Sequence, residues 1–258
     1  MWIKKTCIVL AGTLIPSLVT TSLVQAEDVK GSFSILYSPH TTHLSAPGYL
    51  SKSNPQQLAI DHENKGNEYY GFQGEVNYGR YLISVDYLSG TSNKIDLPGA
   101  GDYTVPLSTT FNPLTYETSE TLDLCAGYRI FSGGSVNNLA GTVGYFRMWA
   151  SPAISPPNWY DGLEIGLKGK YSVHKSLALT GRIGYVPDVS VHGYMKDRNL
   201  MTGKYLVNYA VGAEVPVGSD ISIIGGYKNL RAVNRVVIDG SKAVVKFTGF
   251  YVGGSYNF

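Results

Sequence analysis

Few residues in this sequence have types and spacings that suit catalysis. Asp86 stands alone near the end of a predicted strand, and Asp188 and His192 lie four residues apart in a predicted loop. Carboxylates and an imidazole can activate a water molecule if the fold brings them together. The serine-nucleophile elbow, the HExxH zinc helix and the phosphate-binding glycine-rich loops do not occur. We therefore predict that the protein is not an enzyme, with a hydrolase at the rim of the fold as an alternative.

Histidine and cysteine give weaker signals. His40, His43 and His62 fall in one predicted loop. Loose spacing of this kind is typical of solvated residues, because a zinc site needs close ligands supported by further hydrogen bonds. Cys125 is the only cysteine after Cys7, so the exported chain cannot form an intramolecular disulfide. We predict no metal site and no cofactor.

The elements that must position these residues are strands, predicted from alternation of apolar and polar residues at a period of two. Ten stretches show this pattern: 29–38, 68–77, 81–89, 118–130, 139–150, 160–173, 177–186, 205–215, 221–230 and a last one that begins near Ala243. The fifth is imperfect, because Arg147 shares the parity of Val143, Tyr145 and Trp149. Either that strand is bulged or Arg147 lies above a bilayer.

The connections between these stretches alternate in length. They are short after every even stretch and long after every odd one, at 39–67, 89–117, 151–159, 187–204 and 231–242. Short turns at one end and long loops at the other are typical of transmembrane β-barrels. We predict an all-β fold: a ten-stranded antiparallel up-and-down transmembrane β-barrel with short periplasmic turns and long extracellular loops.

The alternation assigns each face of such a barrel a composition. The lumen receives a balanced charge network, which we predict to be paired and to fill the interior: Glu75, Asp86, Asp123, Arg129, Glu164, Lys168, Lys170, Arg182, Glu214 and Lys228. The same residues would line a narrow polar pore in the alternative. The outward face carries two aromatic belts at the membrane interfaces: Tyr37, Tyr70, Tyr78, Tyr81, Tyr87, Tyr128, Tyr145, Trp149, Tyr171, Tyr185, Tyr209, Tyr227 and Tyr256.

Both ends of the chain indicate export. Lys4 and Lys5, an apolar run over 7–14 and small residues up to Ala26 are typical of a signal peptide, which we expect to be cleaved after Ala26. The closing strand alternates Phe250, Val252 and Tyr256 and stops on Phe258. It resembles the terminal strand of small bacterial outer-membrane β-barrel proteins, whose last residue is typically Phe. The resemblance implies a barrel domain over 27–258 in the outer membrane and an assembly signal of Phe250, Tyr256 and Phe258.

Function is less well defined by the sequence. A ten-stranded barrel resembles the omptin surface proteases, but Asp86, Asp188 and His192 are not set as that family sets its catalytic residues. Loops 46–57 and 97–113 are polar and carry Tyr49, Tyr103 and Phe111, a composition that favours binding. We predict a non-enzymatic surface protein, structural or binding through its loops, with a narrow channel for ions or small polar solutes as the alternative.

The expected partners follow from this location and from charge. They are the lipid bilayer, the barrel-assembly machinery and an unidentified extracellular ligand. The chain without residues 1–26 has 19 Lys and Arg against 19 Asp and Glu. Such a neutral chain gives no electrostatic reason for nucleic-acid binding.

Overall fold

The computed structural model describes residues 29–51, 54–91, 116–133, 136–152, 158–193, 201–237 and 240–258. The elements within these ranges are strands: β1 (Val29–Ser51), β2 (Asn54–Tyr78), β3 (Tyr81–Thr91), β4 (Tyr116–Gly133), β5 (Val136–Pro152), β6 (Asn158–His174), β7 (Leu177–Val186), β8 (Ser190–His192), β9 (Met201–Pro216), β10 (Ile221–Val236) and β11 (Lys242–Asn257). Within this described part, no helix is long and apolar enough to cross a membrane.

The strands form one closed antiparallel barrel. Strands β1 to β7 and β9 to β11 pair with their neighbours in sequence, β7 pairs with β9, and β1 pairs with β11 to complete the ring. Both β7 and β8 pair with β6, so they are two parts of one barrel wall strand. The ring therefore has ten strands, and the predicted fold class is confirmed.

A β-bulge separates β7 from β8. Between the pairs Asp161↔Ser190 and Ile165↔Tyr185, three residues of β6 face four residues of the other strand. A Cβ on Gly162 would lie 2.7 Å from the carbonyl oxygen of Asp188, so only glycine fits opposite the bulge. The bulge adds one residue to the strand that contains β7 and β8. As a result, residues of β8 that pair with outward-facing residues of β6 also face outward.

Two predicted loops are in fact paired strands. The prediction of a loop over 39–67 was wrong, because β1 and β2 stay paired as far as Ser51↔Asn54. The prediction of a loop over 231–242 was also wrong, since β10 and β11 pair up to Arg235↔Lys242. Strands that rise beyond a bilayer have no lipid on either face, so they need not keep the apolar-outward, polar-inward alternation of the lower strands. We call residues 41–51, 54–67, 231–236 and 242–248 the raised sheet.

The two faces of the wall differ in composition. At mid-height the outward face is exposed and apolar; Leu163 and Phe250 are each 70 % exposed. The inward face holds the buried core of the molecule, which includes an apolar cluster: Phe146, Met148, Tyr160, Val186, Val189, Val191, Leu206, Leu230, Ala232, Val245 and Phe247. This cluster lies toward the long-loop end of the barrel, and we call it the apolar plug.

Candidate functional site

Ion pairs cross the lumen between well-separated strands. Lys168 on β6 reaches Glu75 on β2, with Nζ 2.5 Å from Oε2. Lys228 on β10 reaches Asp86 on β3, with Nζ 3.1 Å from Oδ1. Gln73 Nε2 donates a 2.8 Å hydrogen bond to the other oxygen of Asp86. Because the members of each pair lie on different sides of the barrel, the pairs fill the interior rather than lining its wall.

The most deeply buried charges gather around Arg182. Its guanidinium contacts the carboxylate of Asp123 and lies 2.5 Å from Oε1 of Glu164. The Cys125 thiol donates to Oδ1 of Asp123 at 3.1 Å, and Asn208 Nδ2 donates to Oδ2 at 3.1 Å. One cation thus neutralises two acids that the barrel excludes from water.

The same cluster has donors that a metal ion uses. Ligand atoms of Asp123, Cys125 and Glu164 all lie within 4.8 Å of one another. The guanidinium of Arg182 lies among them, 3.2 Å from the sulfur of Cys125, and supplies the positive charge. We therefore assign the group as an ion-pair cluster, and the absence of a metal stays a prediction.

Two further charges lie nearer the short-turn mouth. Lys170 Nζ is 2.6 Å from Oε2 of Glu214, and Ser222 Oγ donates to Oε1 of Glu214 at 3.1 Å. Arg129 is the one member of the predicted lumen network without an ion pair among the residues that the structure describes; its Nη1 donates to the carbonyl oxygen of Gly79 at 3.2 Å. A polar cavity of about 160 Å³ lies among these mouth residues and the deeper pairs.

The apolar plug was missed by the sequence reasoning. Phe146, Met148 and Leu206 are at most 1 % exposed, and Leu230 and Phe247 pack with them above the charged layer. A signal existed: Phe146 and Met148 alternate with Tyr145, Arg147 and Trp149 on β5. Apolar residues on both faces of one strand indicate that the lumen is apolar at that height.

Of the three histidines predicted to share a loop, the structure describes the side chain of His40. His40 lies in β1 rather than in a loop and is 5 % exposed. Its ring packs against that of Tyr69, with centroids 4.9 Å apart and planes tilted by 58°. Its Nδ1 is 3.0 Å from the hydroxyl of Ser38. The side chains of His43, His62 and Tyr49, and the segment with Tyr103 and Phe111, lie outside the described residues.

The three residues of the rim-hydrolase alternative are not brought together. Asp86 is buried in the lumen beside Lys228. His192 lies on the other side of the wall, where its Nε2 is 3.1 Å from Oδ1 of Asp161, and Asp188 is in the bulge. A general base must lie within hydrogen-bond reach of the water that it activates, so these residues cannot act on one water molecule.

A polar and aromatic group lies on the outward wall at the long-loop end. β5 has no register shift between Asn138 and Ala150, so Arg147 faces outward on a regular strand. Its guanidinium carbon lies 4.5 Å from the ring centroid of Trp149 and 5.6 Å from that of Trp159. We call the group the outward cluster: Tyr145, Arg147, Trp149, Trp159, Asp161 and His192.

Aromatic side chains outline both ends of the apolar band. At the short-turn end Tyr81 and Tyr128 pack at 5.7 Å between ring centroids, and at the other end Tyr37 and Tyr70 pack at 5.2 Å. Phe258 extends the ladder beyond β11, since its N–H donates to the carbonyl oxygen of Gly31 at 3.0 Å. Its ring covers Gly31, where a Cβ would lie 2.4 Å from the ring.

Comparison with solved structures identifies the fold. The outer membrane protease OmpT from Escherichia coli superposes with a TM-score of 0.53 at 13 % identity, over 91 % of this chain and 98 % of that chain. The chain has the fold of an outer-membrane β-barrel.

More distant barrels also match. The β-domain of the Bordetella autotransporter BrkA has a TM-score of 0.43 at 12 % identity, over 90 % of this chain and 100 % of that chain. The Neisserial surface protein NspA has a TM-score of 0.32 at 9 % identity, over 88 % and 97 %. No protein-family model and no curated protein matches the sequence.

Proposed function

We propose that this chain is a non-enzymatic protein of a bacterial outer membrane that acts at the cell surface and does not conduct solutes. The observation that carries this proposal is the closed lumen. Ion pairs between Arg182, Asp123 and Glu164 cross its centre, and the apolar plug fills it above them. A solute would have to break buried charge pairs and then pass closely packed hydrocarbon, both of which cost several kcal/mol, by order of magnitude.

The membrane location is supported by the outer wall. An exposed band of Ile, Leu and Val between two rings of aromatic residues is the surface that a bilayer covers in barrels of this kind. Ile83, Leu163 and Phe250 are each more than 60 % exposed, which would be unfavourable in water. Lipid removes that cost.

The raised sheet favours a role at the surface. Ser51 lies 14 residues beyond Tyr37 of the aromatic belt, which corresponds to about 45 Å of strand at ~3.3 Å per residue. β1 pairs with both β2 and β11 within the raised sheet, through Leu44↔His62 and Ser45↔Val244. A paired sheet can present side chains to a ligand without the cost of ordering a loop.

Planar-bilayer recording tests the closed lumen. We expect the folded barrel to show no steady conductance. A variant with Leu206→Ser, Leu230→Ser and Phe247→Ser removes apolar side chains from the plug and serves as the comparison, with a measurable current expected. Steady opening of the unmodified barrel would contradict the proposal and support the channel alternative.

A shortened hairpin tests the surface role. Residues 45–61 are replaced by Asn-Gly, which joins the paired residues Leu44 and His62 by a two-residue turn. We expect normal membrane insertion, judged by heat-modifiable gel mobility, and loss of cell binding to an array of immobilised glycans and matrix proteins. Undiminished binding at equal surface amounts would rule out the raised sheet as the binding element.

A further inference from the structure

We propose that the outward wall of β4 to β8 binds one phosphorylated glycolipid of the surrounding membrane. The lipid's acyl chain lies in a groove at mid-height, and its head group contacts the outward cluster. This inference rests on the proposed membrane location, but not on the closed lumen or on the raised sheet.

The groove results from small outward residues between large ones. Ala126 and Gly141 face outward at its floor, flanked by Val143, Ile165 and Ile183. Its volume is about 680 Å³. The flanking side chains are exposed and apolar, so an acyl chain of the bilayer can fill the depression with close contacts.

Strand pairing places the outward cluster directly above the groove. One rung of the sheet runs through Ala126, Val143, Ile165 and Tyr185, and four rungs higher Arg147 pairs with Asp161. Four residues along a strand correspond to about 13 Å. A single lipid can therefore reach both the groove and the cluster.

The acidic member of the cluster is already satisfied. Tyr145 donates to Oδ2 of Asp161 at 2.7 Å, and Nε2 of His192 lies 3.1 Å from its Oδ1. Trp159 stacks on the His192 ring, with centroids 5.3 Å apart and planes 10° from parallel, which holds the imidazole in place. Asp161 is thus held by the protein and does not need the guanidinium of Arg147.

Arg147 supplies the group that recognises phosphate. Its guanidinium lies over Trp149 and interacts with Tyr145, and its Nε is buried without a hydrogen-bond partner among the described residues. A guanidinium can bind two oxygens of one phosphate, and indole rings favour the membrane interface. The aromatic faces of the cluster also suit the apolar faces of sugar rings, which is why we assign a phosphorylated glycolipid. The other acid on this face, Glu120, interacts with Tyr87.

Native mass spectrometry of the folded full-length barrel in detergent tests this site. The probe is lipid A carrying two phosphates, and the comparison lipid is lipid A without phosphate. We expect one retained molecule of the phosphorylated lipid and at least tenfold weaker retention of the other. Arg147→Gln should lower retention of the phosphorylated lipid by a similar factor.

Two matched controls separate this site from general effects. Arg231 is an exposed arginine on β10, across the barrel, so Arg231→Gln should leave retention unchanged. Ala126→Phe fills the groove and should weaken retention, whereas Gly254→Phe, which adds a side chain where a Cβ meets open space, should not.

Three results would overturn the proposal. They are equal retention of the two lipids, equal effects of Arg147→Gln and Arg231→Gln, and a dimer that Ala126→Phe abolishes, which would assign the groove to a second copy of the chain. Failure of the membrane location itself would appear differently, as a detergent-free monomer that remains soluble.

Discussion

The two halves of the lumen are closed by different physical means. Toward the short-turn end, pairs such as Lys168–Glu75 and Lys170–Glu214 surround a polar cavity of about 160 Å³. Toward the long-loop end, Phe146, Met148 and Leu206 pack with almost no exposed surface. One half is held by directional contacts between defined partners, and the other by close packing.

The two kinds of contact have different structural roles: the ion pairs determine which strands face each other, and the apolar side chains determine how closely the interior is packed. An ion pair fixes which strands face each other, because a buried charge that loses its partner is strongly unfavourable. The apolar plug is stabilised by every van der Waals contact and tolerates substitutions by apolar residues of similar volume. It excludes water more completely than the ion pairs do. The Arg182 cluster lies where the two halves meet, and its two acids belong to β4 and β6.

The largest effect should come from Arg182→Met. It leaves Asp123 and Glu164 buried without a cation, so we expect the free energy of unfolding to fall by about 3–5 kcal/mol. Urea titration of the barrel in lipid vesicles measures this. Adding Asp123→Asn and Glu164→Gln should recover most of the loss. Equal effects of Arg182→Met and Arg129→Gln would show that burial does not govern the polar half.

The plug should respond next, to Leu206→Ala. Leu206 is 1 % exposed, and its truncation leaves a cavity, so the free energy of unfolding should fall by about 2–4 kcal/mol. The same titration applies, with Leu163→Ala on the outward wall as the control. Lipid can fill the space beside Leu163, so its loss should be smaller; the opposite order would mean that the plug is not closely packed.

The smallest effect should come from Lys170→Ala at the mouth. The Lys170 side chain is 33 % exposed, so water screens its pair with Glu214, and the expected loss is below about 1 kcal/mol. Lys228→Ala is the deeper counterpart, since its side chain is 8 % exposed beside Asp86. A larger loss for Lys170→Ala than for Lys228→Ala would contradict the dependence on depth.

Sequence reasoning went furthest where the environment changes from one residue to the next. In β6, Leu163, Ile165 and Leu167 alternate with Glu164 and Lys168, because lipid and lumen demand opposite side chains. The same reasoning failed in residues 41–51, 54–67 and 231–236 of the raised sheet, where loops were predicted instead of strands. The sequence also left the environment of Arg147 ambiguous. The alternation shows which face of the strand Arg147 occupies, but not how far this residue lies above the apolar band.

The sequence by itself determined the barrel and its strand count, because a period of two is a local property of the chain. Only the tertiary structure decided which charges meet. Asp86 and Lys228 are 142 positions apart and come together because the ring closes. The pairing of β8 with β6 placed His192 beside Asp161 rather than Asp188. The apolar plug is assembled above the ion pairs from β5 to β11, so it too depends on the register between strands.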